Sequence, residues 1–140
     1  MLTELQQLCD AYLREAEEVR KNTPGMQGYM GMGNDPKQNP CHMAFYRKVE
    51  DWVCRFLQSA PDSQQVYEAV FYILQAADSH RGTDAYWYFF ASQGLLKPLI
   101  PLLTTEDCRS LRDWYGEHYP KKERLPVHTQ LFKILTKCAK

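Results

Sequence analysis

Apolar residues recur at steps of three and four through most of this chain, and no stretch alternates at steps of two. The first spacing lays them along one stripe of an α-helix, whereas alternation would mark a half-buried strand. Between Leu2 and Val19 the stripe is Leu5, Leu8, Cys9, Tyr12, Leu13 and Ala16, which predicts an amphipathic first helix. Asn39 and Pro40 predict the start of the second. An Asn side chain can accept from an orphan amide at a helix N-terminus, and proline suits the first helical position because its missing N–H had no partner there. Phe45, Val49, Trp52, Val53 and Phe56 then share a face to about Ser59, opposite Arg47, Lys48, Glu50, Asp51 and Arg55.

Pro61 and Asp62 break and restart the chain, and Gln65, three residues after Asp62, completes the pattern of a capping box. The third helix runs to about Ser79. Glu68 is its only charge between Ser63 and Ala77, and Val66, Tyr67, Val70, Phe71, Tyr72, Ile73 and Leu74 wrap most of its circumference, which predicts a place in the middle of a bundle. Thr83 and Asp84 open a short aromatic fourth helix, 85–91, that Gly94 can cap. Pro98 and Pro101 limit Leu95 to Leu103 to a turn or two of helix. Thr104 starts another helix, with Leu111, Trp114 and Tyr115 inward, and Tyr119-Pro120 ends it. Pro126 precedes the last, in which Val127, Leu131, Leu135 and Cys138 share a face. The predicted fold is all-α: a single compact bundle of about six helices, one domain over 1–140, with a long Gly/Met-rich loop between helices one and two.

Composition supports a packed core and removes some classes of partner. At 140 residues the chain has the size of one domain. Lys plus Arg and Asp plus Glu balance at 17 each, so no bulk field draws it to nucleic acid or anionic lipid. The first twenty residues carry Glu4, Asp10, Glu15, Glu17 and Glu18 and do not read as a signal peptide. Ser92, Gln93, Lys97, Pro98 and Pro101 interrupt the apolar run from Ala85 to Leu103, so two buried helices are expected there and no membrane span. Five scattered cysteines without a Cys-x-x-Cys predict reduced thiols in a cytoplasm.

Candidate chemistry is sparse. Cys41-His42 falls in the first turn of the second helix, where the helix dipole and a neighbouring imidazolium favour a thiolate. Adjacent helical side chains point about 100° apart, so the pair alone makes no nucleophile and base. Asp78, His80 and Asp84 surround one turn, but their spacing matches no metal signature, and they suit the two helix ends without a metal. No cofactor or metal is expected. Tyr86 to Phe90 offers five consecutive rings without interleaved Lys or Arg, a pattern of core packing more than of base stacking. Lys121, Lys122, Arg124, Lys133, Lys137 and Lys140 stand against Glu123 alone, and Lys133 and Lys137 lie one helical turn apart.

Residues 23–40 differ most from the rest. They hold four of the seven glycines and three of the five methionines, and long segments without periodicity are usually functional or disordered. Gly31-Met-Gly33 lacks the Lys and Ser or Thr of a P-loop and the strand of a dinucleotide fingerprint, which removes the phosphate-cradle reading. Met26, Tyr29, Met30 and Met32 are pliable apolar groups of the kind that adapt to partners. The leading expectation is a non-enzymatic protein-interaction module, contacting another protein or a second copy through these four residues and Lys133 and Lys137. A thiol- or metal-dependent enzyme centred on Cys41 and His42 competes with it, and a nucleic-acid binder using the basic last helix is third.

Overall fold

The structure is a computed structural model that describes residues 1–22, 40–80 and 93–140, with the backbone alone for 16, 19–22 and 40–42. The chain is an all-α compact bundle. Five α-helices lie among the described residues: α1 (Leu2–Asn22), α2 (Pro40–Gln58), α3 (Ser63–Ser79), α4 (Thr105–His118) and α5 (Pro126–Cys138). Three short 3-10 turns, Gln93–Leu96, Ile100–Leu102 and Lys121–Glu123, carry the chain into and between the last two helices. The expected loop 23–40, apart from the backbone of Pro40, and the aromatic helix 85–91 lie outside the described residues.

α1 packs on α2 and α4 packs on α5, and α3 with the two turns before α4 lies between these pairs. Tyr12 stacks on Phe45 with ring centroids 4.1 Å apart, and Trp52 stacks on Phe56 at 4.7 Å. Trp52 is fully buried, and its indole N–H donates to the Met1 carbonyl at 3.0 Å, which satisfies its one polar atom. On the solvent side Arg55 holds Glu4 through both guanidinium nitrogens, at 2.6 and 3.1 Å, and Asp51 at 2.9 Å. The guanidinium beside Glu4 keeps that carboxyl below the usual range.

The start signals operate largely as the sequence predicts. Asp62 accepts from the Gln65 amide at 2.8 Å while the Gln65 side chain accepts from the Asp62 amide at 3.0 Å, a complete capping box on α3. Thr104 accepts from the Asp107 amide at 3.0 Å and caps α4. Pro40 and Pro126 each occupy a first helical position. Two prolines in Leu95 to Leu103 leave 3-10 turns, and Gly94 sits inside the first of them. Between α2 and α3, Ala60 takes a left-handed φ of 51°, where glycine is the usual residue.

α3 takes its predicted place in the middle of the bundle, with one face less sealed than the rest. Val66, Ala69, Val70, Ile73, Leu74 and Ala77 are buried, but Tyr67, Phe71 and Tyr72 are half-buried, so the helix is central with an aromatic edge at the surface. Trp114, expected inward from α4, is also half-buried. Gly116 sits where α4 meets α5: a Cβ built there would stand 3.3 Å from Cε2 of Phe132, so the missing side chain lets the two helices close.

Candidate functional site

The aromatic residues left at the surface of α3 and α4 meet in one seam. Tyr67 and Phe71, one turn apart on α3, stack with centroids 5.7 Å apart. Phe71 meets Trp114 of α4 edge to face at 5.4 Å, and Trp114 stacks on His118 at 4.1 Å. All four rings are half-buried. The i, i+4 spacing on each helix aligns the rings along the axis, and the packing of α3 on α4 joins the two pairs.

The seam ends in a polar contact. His118 Nδ1 lies 2.8 Å from the Trp114 carbonyl, which can only accept, so Nδ1 carries the hydrogen. Nε2 therefore faces Asp78 Oδ2 at 3.6 Å with its lone pair in the neutral ring, and becomes the charged partner of Asp78 on protonation.

Asp78 and His80 fall at one turn in the sequence, but the structure gives them different partners. Asp78 faces α4, while His80 lines a cleft between α1 and α3 with Cys9, Asp10, Leu13, Tyr72 and Ser79. Asp78 lies in the last turn of α3, whereas His80 is the non-helical residue that ends it, so their side chains leave in different directions. Asp84 lies outside the described residues. Among the described residues no three His, Cys, Asp or Glu side chains converge on a point where one metal ion could sit.

The cleft, of about 270 Å³, gathers a thiol, a phenol and an imidazole. Its groups are tuned against reaction. Cys9 lines the cleft with Tyr72, and burial pushes its thiol up to about 12. Burial likewise raises the Tyr72 phenol and lowers the His80 imidazole, so all three favour their neutral forms. A nucleophilic thiol needs the opposite shift.

The predicted site residues are only partly in view. Met26, Tyr29, Met30 and Met32 lie outside the described residues. Cys41 and His42 occupy the first turn of α2, as the capping pattern requires, with their backbone alone described. Lys133 and Lys137 are exposed on α5. Arg124, counted among the basic residues of this end, serves the fold instead. Its Nε donates to the Tyr119 carbonyl at 2.7 Å and its guanidinium covers the Phe132 ring at 4.0 Å.

The sequence reading missed a polar cluster in the interior. Gln93 and His128 are the buried polar residues among those described, at 0 and 1% exposure. Tyr115 Oη donates to Gln93 Oε1 at 2.9 Å, and the rings of Tyr115, Tyr119 and His128 pack together. The Leu125 amide donates to His128 Nδ1 at 3.1 Å, which makes His128 the side-chain cap of α5 and fixes the proton of its neutral ring on Nε2. His128 lies three residues before Leu131 and seven before Leu135, on the apolar face, and that register was the available signal.

No protein-family model matches this chain, and comparison with curated proteins and with solved structures gives no match either. No helix among the described residues is long and apolar enough to cross a membrane.

Proposed function

We propose that this chain is a non-enzymatic protein-interaction module. The observation that carries the reading is the half-open aromatic seam of Tyr67, Phe71, Trp114 and His118 across α3 and α4. Aromatic side chains supply large contact area at low entropic cost and dominate the energetics of protein interfaces. The chemistry of the α1–α3 cleft favours the same reading, because its thiol, phenol and imidazole are held neutral. Loop 23–40 and the exposed pair Lys133 and Lys137 are the other candidate contacts, the lysines suiting an acidic rim on the partner.

Site-specific photo-crosslinking in the native host tests this. A photoreactive phenylalanine at position 71, 114, 29 or 137 should yield a discrete crosslinked species, either another protein or a second copy. Trp114→Ser should abolish the species formed from position 71 while the helical circular dichroism is retained. Absence of any discrete product from all four positions overturns the proposal.

A further inference from the structure

α4 begins where α5 ends. Arg109 Nε donates to the Ala139 carbonyl at 3.0 Å, and one residue earlier on each side Cys138 stands close enough to Cys108 to oppose ionisation of its thiol. Cys108 is fully buried with its sulfur 4.0 Å from the Ile100 carbonyl, whereas Cys138 is half-buried, so solvent reaches the pair from the Cys138 side. Neighbouring thiols on two packed helices can reach disulfide geometry by a small approach of the helix ends. The Arg109 to Ala139 hydrogen bond already holds the two helix ends in that register.

We propose that Cys108 and Cys138 form a reversible redox clamp, closing to an intramolecular disulfide on reaction with a hydroperoxide and reopening with a small-molecule thiol. Cys138, the accessible member, attacks the peroxide oxygen as its thiolate. The O–O bond breaks, the sulfur is oxidised to a sulfenic acid, and the peroxide is reduced to an alcohol, or to water if it is hydrogen peroxide. The Cys108 sulfur then attacks the Cys138 sulfur, forming the S–S bond and breaking S–O. The departing hydroxide takes the Cys108 proton and leaves as water. Two thiols and one hydroperoxide thus give one disulfide, one alcohol and one water, and two equivalents of external thiol reverse the clamp. Burial raises the Cys108 thiol to about 11, with the neighbouring Cys138 adding to the shift, which suits Cys108 to the second step and not the first.

The test uses the full chain treated with hydrogen peroxide, alkylated, and digested with trypsin without reductant. The expected product is the peptide ending at Arg109 joined to Cys138-Ala139-Lys140, two hydrogens lighter than the separate peptides and released by dithiothreitol. The oxidised protein should melt higher, by roughly 10 °C for a loop of this length. Cys138→Ser, at a half-buried position, should fold and show neither the linked peptide nor the rise, while Cys54→Ser on the exposed face of α2 should show both. Over-oxidation of Cys138 without the linked peptide, crosslinks only between separate copies, or a linked peptide without a change in melting overturns the clamp.

Discussion

A thiol in this fold is as reactive as its surroundings allow, and Cys9 shows the direction most plainly. Burial pushes its thiol up to about 12, so at pH 8 it holds far less thiolate than an exposed thiol. Alkylation at pH 8 should modify the exposed Cys54 first and leave Cys9 intact until the protein unfolds, read by mass spectrometry of timed samples. The sign for stability follows. The native state prefers protonated Cys9, so its contribution is fully present below pH 9 and is lost as the pH rises from 9 towards 12, with Tyr72 shifted in the same direction. An alkaline denaturation series should show that loss, and Cys9→Ala should remove part of it. Tyr115→Phe probes the buried polar cluster. It strips Gln93 of the hydroxyl that bonds Oε1, in a place where Nε2 has no hydrogen-bond partner among the described residues, and should cost about 1–3 kcal/mol in urea denaturation. These environments were the least legible from sequence. Cys9 and Tyr72 are 63 positions apart, and the register of His128 puts it on the apolar face without showing what its ring bonds; both depend on which helices pack together.

The helices themselves were legible because their signals are local. Asp62 with Gln65, Thr104, Pro40 and Pro126 each act within a turn of their own position, and each marks the start of a helix. Asp62→Ala should cost about 1 kcal/mol, since it removes one half of the reciprocal cap on α3. Ala60→Gly should act in the opposite sense: it relieves a left-handed φ of 51° at the end of α2, offset by the greater freedom of glycine in the unfolded chain, for a net gain of about 0.5–1 kcal/mol. Thermal denaturation followed at 222 nm reads both, with Tm moving down for the first and up for the second. Periodicity was less informative where a helix is apolar nearly all round. It places Val70, Leu74 and Tyr72 alike, and only packing against α1 and α4 decides that the first two are sealed and Tyr72 borders the cleft. For the same reason Trp114 sits at the α3–α4 seam instead of inside, because Leu111 and Tyr115 occupy the interior of that face.

The two helix pairs share their interior. Leu5, Tyr12, Trp52 and Phe56 from α1 and α2 and Leu111, Tyr115, Leu131 and Leu135 from α4 and α5 belong to one cluster of buried residues that also takes in Val70, Ile73 and Leu74 of α3. A core continuous through a central helix should unfold as one unit, since neither pair can expose its inner face without opening the other. Leu74→Ala tests this from the middle. Leu74 is fully buried on α3, and its truncation should destabilise the protein by about 2–5 kcal/mol. Under conditions where exchange reports opening equilibria, the best-protected amides of α2 and of α5 should then speed up together, by about 30-fold or more. Hydrogen exchange followed by mass spectrometry resolves the two helices. Acceleration confined to α1 and α2, or to α4 and α5, would mean that the chain behaves as two units meeting at α3. In that case the contact of Phe71 with Trp114 would be a joint between the two units.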